Sequence, residues 1–246
     1  MRNRLRALGT VGAAIVFVAL IVVLGWAIPP HPAVVTTDRL GPESGEAVAD
    51  YLARARDSLG PGGSDSPGGD GSGLPGGGGS GLPGDGGERW ALVSFASGIA
   101  ARDLPEHAGG LRISQVVYHV PIDRVFTPSI TVPVPAGDAA AIASGHAAAG
   151  AMEYAATDPA HAGDARTART AAVVAARLRA DCPCAVGMIV RGSPTRLRDL
   201  SSHNNIRAIQ ALPPDAAAGA FAVVPLLPEQ QETATPGPDD GPVPDR

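Results

Sequence analysis

"RDLPEHAGGLRISQV" runs from Arg102 to Val116, and "RDLSSHNNIRAIQAL" runs from Arg198 to Leu212. The two stretches share Arg-Asp-Leu, then His107 or His203 at the same offset. After one deletion, Arg112 matches Arg207 and Gln115 matches Gln210. Further back, "WALVSFAS" (Trp90 to Ser97) lies over "VGMIVRGS" (Val186 to Ser193), and both runs are rich in strand formers. Each run ends in a Ser placed five residues before the shared Arg. Ser is a good N-cap, and Pro194 suits the first helical position because its missing N–H would be unpaired there anyway. Ser97 and Ser193 therefore predict two helix starts. Leu104 and Leu200 then face a core, supported by Ile99 and Leu197. Gly109-Gly110 and Asn204-Asn205 are residue types that tolerate the left-handed conformation closing a helix. His107 and His203, in the last turn, suit the negative helix end.

"LRISQVVYHV" and "IRAIQALP" read as a second strand in each copy. The third apolar runs, "SITVPVP" (Ser129 to Pro135) and "FAVVPLLP" (Phe221 to Pro228), contain prolines, which argues for edge strands or strand ends. The pattern predicts an internal repeat of two β-α-β-β units, 90–135 and 186–228. The alternative is two similar βαβ units that share cap chemistry without common origin. Between them, a segment broken near Asp158-Pro159 predicts two helices. The second runs from about Asp164 to Ala180, with Ala172, Val173, Ala176 and Leu178 among its apolar positions. The expected fold class is α+β, with about six strands in one sheet and helices mainly on one face. A ferredoxin-like arrangement is one candidate, since two split βαβ units are its signature.

Outside this domain, expected to span 88–228, the chain changes character. Residues 60–87 are mostly Gly with Pro, Ser and Asp, and include "GSGLPG" twice. Such a composition buries too little to offset the entropy of ordering, so it reads as a disordered linker. It is no phosphate loop, because no Gly-Lys-Ser/Thr follows. The tail, 229–246, reads the same way. Residues 1–7 carry Arg2, Arg4 and Arg6 ahead of an uncharged run, Leu8 to Ile28. Those residues would span about 30 Å as a helix, the thickness of a bilayer's hydrocarbon core. The basic flank places the N-terminus in the cytoplasm and the domain outside it. A cleaved signal peptide is the rival reading, with Gly25-Trp26-Ala27 as the cleavage site. Segment 29–59 follows as a juxtamembrane stretch with a short helix from about Glu43 to Leu59. Val48, Leu52, Ala55 and Leu59 would share one of its faces.

The net charge of −5 gives no reason to expect nucleic-acid binding. All 19 basic residues are Arg, and with the Ala, Gly and Pro excess this is the usage of a GC-rich bacterial genome. The only two cysteines, Cys182 and Cys184, form "DCPC". Outside the cytoplasm they read as a disulfide, as paired or reduced thiols, or as a redox site. No second Cys pair completes a zinc site, and no cofactor motif appears. "YHVPIDR" ends a predicted strand, where loops often bind ligands. It nominates Tyr118, His119, Asp123 and Arg124 as binding residues. "EYAATDPAHAGDAR" and His146 read as polar helix surface and connection. Nucleophile elbow, HExxH and Walker A patterns are all missing from the sequence.

The combination predicts a single-pass, membrane-anchored binding or adaptor domain of the bacterial cell envelope, non-enzymatic. Its partner would be an envelope protein, a wall polymer or a second copy of the chain. Two alternatives stand beside it. One is an envelope redox protein or enzyme using Cys182 and Cys184. The other is an accessory subunit of a membrane transport or secretion complex.

Overall fold

The eleven-residue strand β2 (Arg89–Ile99) and the eight-residue strand β5 (Ala185–Gly192) pair antiparallel from Arg89/Gly192 to Ser94/Gly187. This pair is the centre of the domain. The computed structural model describes residues 38–60, 87–158, 164–217 and 219–245. The basic flank 1–7, the apolar run 8–28 and nearly all of the 60–87 linker lie outside the described residues. Among the described residues, no helix is long and apolar enough to cross a membrane.

β3 (Arg112–Tyr118) pairs antiparallel to β5, and β4 (Ile130–Pro133) pairs antiparallel to β3 at the sheet edge. β6 (Ile206–Ala211) pairs antiparallel to β2 at the other edge. The sheet order is β4-β3-β5-β2-β6. β2 and β3 run parallel with β5 inserted between them. β5 and β6 likewise run parallel with β2 inserted between them. Each of these two β-α-β units is thus split by a strand of the other. The first crosses over through a 3₁₀ turn (Ala101–Asp103) and α2 (Leu104–His107), the second through α5 (Pro194–Ser201). The helical pair α3 (Asp138–Thr157) and α4 (Ala165–Arg179) joins them.

The two helix starts differ from each other. Ser193 is the expected N-cap, its hydroxyl accepting the Arg196 N–H. Ser97 is not a cap but remains inside β2. Its N–H and hydroxyl both reach Asn205 Oδ1, at 2.9 and 2.8 Å, and Asn205 Nδ2 donates back to its carbonyl at 3.0 Å. Asn205 sits at φ +66 and Gly109 and Gly110 at +57 and +71, the left-handed closures that the sequence calls for. His107 donates from Nδ1 to the Asp103 carbonyl, 3.0 Å away, as a last-turn residue can.

One face of the sheet presents Val93, Phe95, Val116, Tyr118, Met188, Val190 and Ile209 to α2–α5 in a single apolar cluster. Small residues such as Ala148, Ala149, Ala171 and Ala175 contribute to this cluster from α3 and α4. On α4 the buried positions are Thr170, Ala171, Val173, Val174, Ala175 and Leu178. Of the apolar positions read from the sequence, Val173 and Leu178 are buried and Ala172 and Ala176 are exposed.

The opposite face is also apolar and is covered partly by a segment expected to lie outside the domain, 38–59, and partly by the 212–226 stretch. α1 (Val48–Asp57) packs Val48, Tyr51 and Ala55 with Ala208 and Leu226. Leu40 packs with Leu92, Ile189 and Leu212. The third apolar run of the second unit does not become a sixth strand of the sheet. Only Ala222–Val223 pairs, as β7, and its partner is β1 (Arg39–Leu40), in parallel. Pro225 then removes a donor that a longer strand would need.

The tail is ordered where disorder was expected. Thr233 bridges Ala47, the Ala234 N–H donates to Glu46, and the Gly45 N–H donates to Ala234. The Glu232 carbonyl accepts the Val48 N–H at 2.9 Å, serving an α1 N-terminus that has no side-chain cap. Composition failed to reveal this because the segment is held chiefly by backbone pairing and ion pairs, with few apolar side chains such as Val243. The folded domain therefore includes 38–59 and 229–245 along with 88–228.

Tyr51 is fully buried, with its hydroxyl facing the buried Ser94 hydroxyl. Losing that weakly held hydroxyl costs little, while losing the ring leaves a cavity. In urea unfolding, Tyr51→Phe is expected to change stability by less than about 1 kcal/mol. Tyr51→Ala is expected to cost about 3–5 kcal/mol, as ring truncation does in a core. A negligible cost for the alanine variant would mean that α1 is not packed on the sheet.

Candidate functional site

β3 ends at Tyr118, and because side chains alternate across a strand, the next residue points the other way. Tyr118 turns into the helix-facing core, 1% exposed, with its phenol 2.6 Å from Ser144 Oγ on α3. Burial pushes that phenol up to about 12, so it stays neutral and serves packing. His119 turns to the opposite side, and its backbone N–H donates to the Cys184 carbonyl at 2.9 Å. The loop that follows is pinned by an Ile122–Val125 bridge, with Arg124 at φ +52 between them.

This loop and the C-terminal segment enclose a half-open groove of about 1200 Å³. His119, Asp123 and Arg124 line it, along with Phe126, Val224 and Glu229. Three of the four binding residues nominated by the sequence thus come together, and Tyr118 is the one that does not. His119 is nearly buried, with Nε2 3.0 Å from Glu229 Oε1, so that nitrogen carries the proton it donates to the carboxylate. Thr127 Oγ1 lies 3.5 Å from His119 Nδ1, but its hydroxyl donates to the Val120 carbonyl at 2.8 Å. Its proton is therefore engaged and the residue is buried, which suits it to holding the histidine rather than to attack. Phe126 is 56% exposed and Val224 37% exposed, an apolar strip beside the charged groups.

Cys182 and Cys184 are joined as a disulfide. Cys184 is buried, and the pair forms the turn into β5 beside the start of the loop. Among the described residues, no three His, Cys, Asp or Glu side chains cluster as metal ligands. Glu153, expected in a polar connection, lies on α3 and is clamped by Arg179 at the end of α4 through two 2.8 Å bonds.

Sequence reasoning missed Phe126, Glu229, Arg166, Asp239 and Asp240. Phe126 had a readable signal, as an aromatic in a loop of a chain with 4% aromatics. The others depend on the path of a tail whose composition argued for disorder. Burial pushes the Glu229 carboxyl up, but hydrogen bonds from His119 and its own backbone, with the His119 and Arg207 charges, hold it below the ordinary value. Asp239 is also held low, first by the Arg166 guanidinium and then by the Phe126 N–H. No protein-family model, curated protein or solved structure matches the chain.

Both carboxyls are lowered in the folded state, so their contacts stabilise above the ordinary carboxylate range. That contribution is lost as pH falls through the lowered values, below about pH 4. In a carboxyl-detected NMR titration, Glu229 and Asp239 should titrate below their values in the unfolded chain. His119→Leu should move Glu229 upward and leave Asp239 in place. Equal movement of both would mean that the two contacts are not independent.

Proposed function

We propose that the chain is a single-pass, membrane-anchored binding or adaptor protein of the bacterial cell envelope, with its folded domain held outside the cytoplasm. The groove between the 119–129 loop and the C-terminal segment is its recognition surface. The observation that carries this reading is Phe126. The chain has only 4 Phe, 2 Trp and 3 Tyr, and among the described residues Phe126 is exposed at the groove, between the buried His119, paired to an exposed Glu229, and Arg124. Partly exposed aromatics ringed by polar groups are what protein interfaces use as anchors. The partner this surface suits is an envelope protein presenting an apolar side chain with flanking polar groups. A second copy of the chain is the next choice.

The apolar run Leu8 to Ile28 and the Arg2, Arg4, Arg6 flank support the anchor and its orientation. The Gly-rich linker would give such a domain reach and a raised local concentration at the membrane. The two interlocked split units support a ferredoxin-like fold. In that reading β4 is an added edge strand and α3–α4 an added helical pair.

A photo-crosslinking residue at Ser129, on the groove rim, in the full chain in intact membranes tests the proposal. One defined partner should be captured, and Phe126→Asp should reduce its recovery at least about fivefold, as loss of an anchor does, with the protein level unchanged. Capture that ignores Phe126→Asp would remove the groove from the function.

A further inference from the structure

Beyond the groove, the tail runs on into a second arrangement. The stretch Asp239-Asp240-Gly241-Pro242-Val243 belongs to no strand or helix, yet it is contacted at nearly every residue. Asp239 Oδ1 accepts from Arg166 Nη2 at 2.7 Å and from the Phe126 N–H at 3.0 Å. Asp240 pairs with Arg124. The Gly241 N–H donates to the Arg124 carbonyl at 2.7 Å, and its carbonyl accepts from Arg166 Nη1 at 2.9 Å. A Cβ on Gly241 would fall 2.7 Å from the Asp123 carbonyl oxygen and 2.8 Å from Arg124 Cβ, so only glycine fits. Val243 packs against the main core.

These are the components of sequence-specific peptide recognition: two cations for two adjacent carboxylates, backbone bonds to fix register, a glycine-only position and an apolar seat. We propose that Arg124, Arg166 and the 123–126 backbone form a docking site for an acidic peptide segment of a partner protein, of pattern Asp-Asp-Gly-Pro-apolar, which the chain's own residues 239–243 fill in cis. Charge complementarity and the seated tail argue for that occupant. The site adjoins the groove at Arg124 but does not require the groove to bind anything.

The cis contacts are solvent-exposed ion pairs, weak in water and screened by salt, so they can be exchanged. A tethered tail nonetheless competes at an effective concentration of roughly millimolar, which masks the site in the wild-type chain. The test is a fluorescently labelled peptide of residues 235–245, titrated onto the full chain. Asp239→Asn with Asp240→Asn in the chain should unmask the site and tighten peptide binding at least about tenfold over wild type, because the cis competitor is weakened. Adding Arg124→Ala and Arg166→Ala should abolish binding. A peptide carrying Gly241→Ala should not bind the unmasked chain. Absence of binding to every variant, or equal binding of the Gly241→Ala peptide, would overturn the proposal. A wild-type dimer that dissociates on adding peptide would also overturn it, by giving the site to the tail of a second copy.

Discussion

The structure depends on a central antiparallel pair, β2 with β5, that is apolar on both faces. Val93, Met188 and Val190 point to one side, Leu92 and Ile189 to the other, and all five are fully buried. Burying such a side chain contributes roughly 1.5–3 kcal/mol, so neither face can be left to water. The two crossover helices and the α3–α4 pair cover only the first. The second is covered by what the chain has left: the helix ahead of the linker, the short β1/β7 pair, and Leu226. The 229–245 segment in turn holds the start of α1 in place. The groove follows from that route, because drawing the tail past the 119–129 loop creates its second wall.

The split β-α-β units were legible because their signals are local and repeated. Apolar runs, Ser193 with Pro194, and the Gly109-Gly110 and Asn204-Asn205 closures each state one boundary. The reading went wrong where a tertiary partner replaced a local one. Ser97 stands five residues ahead of its Arg-Asp-Leu as Ser193 does, but it lacks a following proline and Asn205 reaches across 108 residues to take its donors, so the strand continues. The tail carries no apolar periodicity and was read as disordered, since backbone pairing to residues 45–48 leaves no trace in composition. Of the site, His119, Asp123 and Arg124 were visible as a loop after a strand. Tyr118 was separable from them by the two-residue period alone, which puts it on the opposite face.

Function would then sit where the fold is least regular. The sheet fixes His119 and the loop that carries Phe126, and α4 fixes Arg166. The tail supplies Glu229 to the first and Asp239 to the second. One segment thus serves as structural cover, groove wall and occupant of a charged site. That economy makes the tail the place where binding and stability are coupled, since a ligand that displaces its end need not disturb the pairing near Thr233.

The central claim is that residues 38–59 and 229–236 are integral to the fold. Amide hydrogen exchange on the full chain at neutral pH tests it most directly. The account predicts slow exchange at the Val48 and Ala234 amides, which donate to Glu232 and Glu46, together with the body of α1, opening with the sheet rather than before it. Exchange of those amides at unfolded-chain rates, while β2 and β5 remain protected, would contradict it.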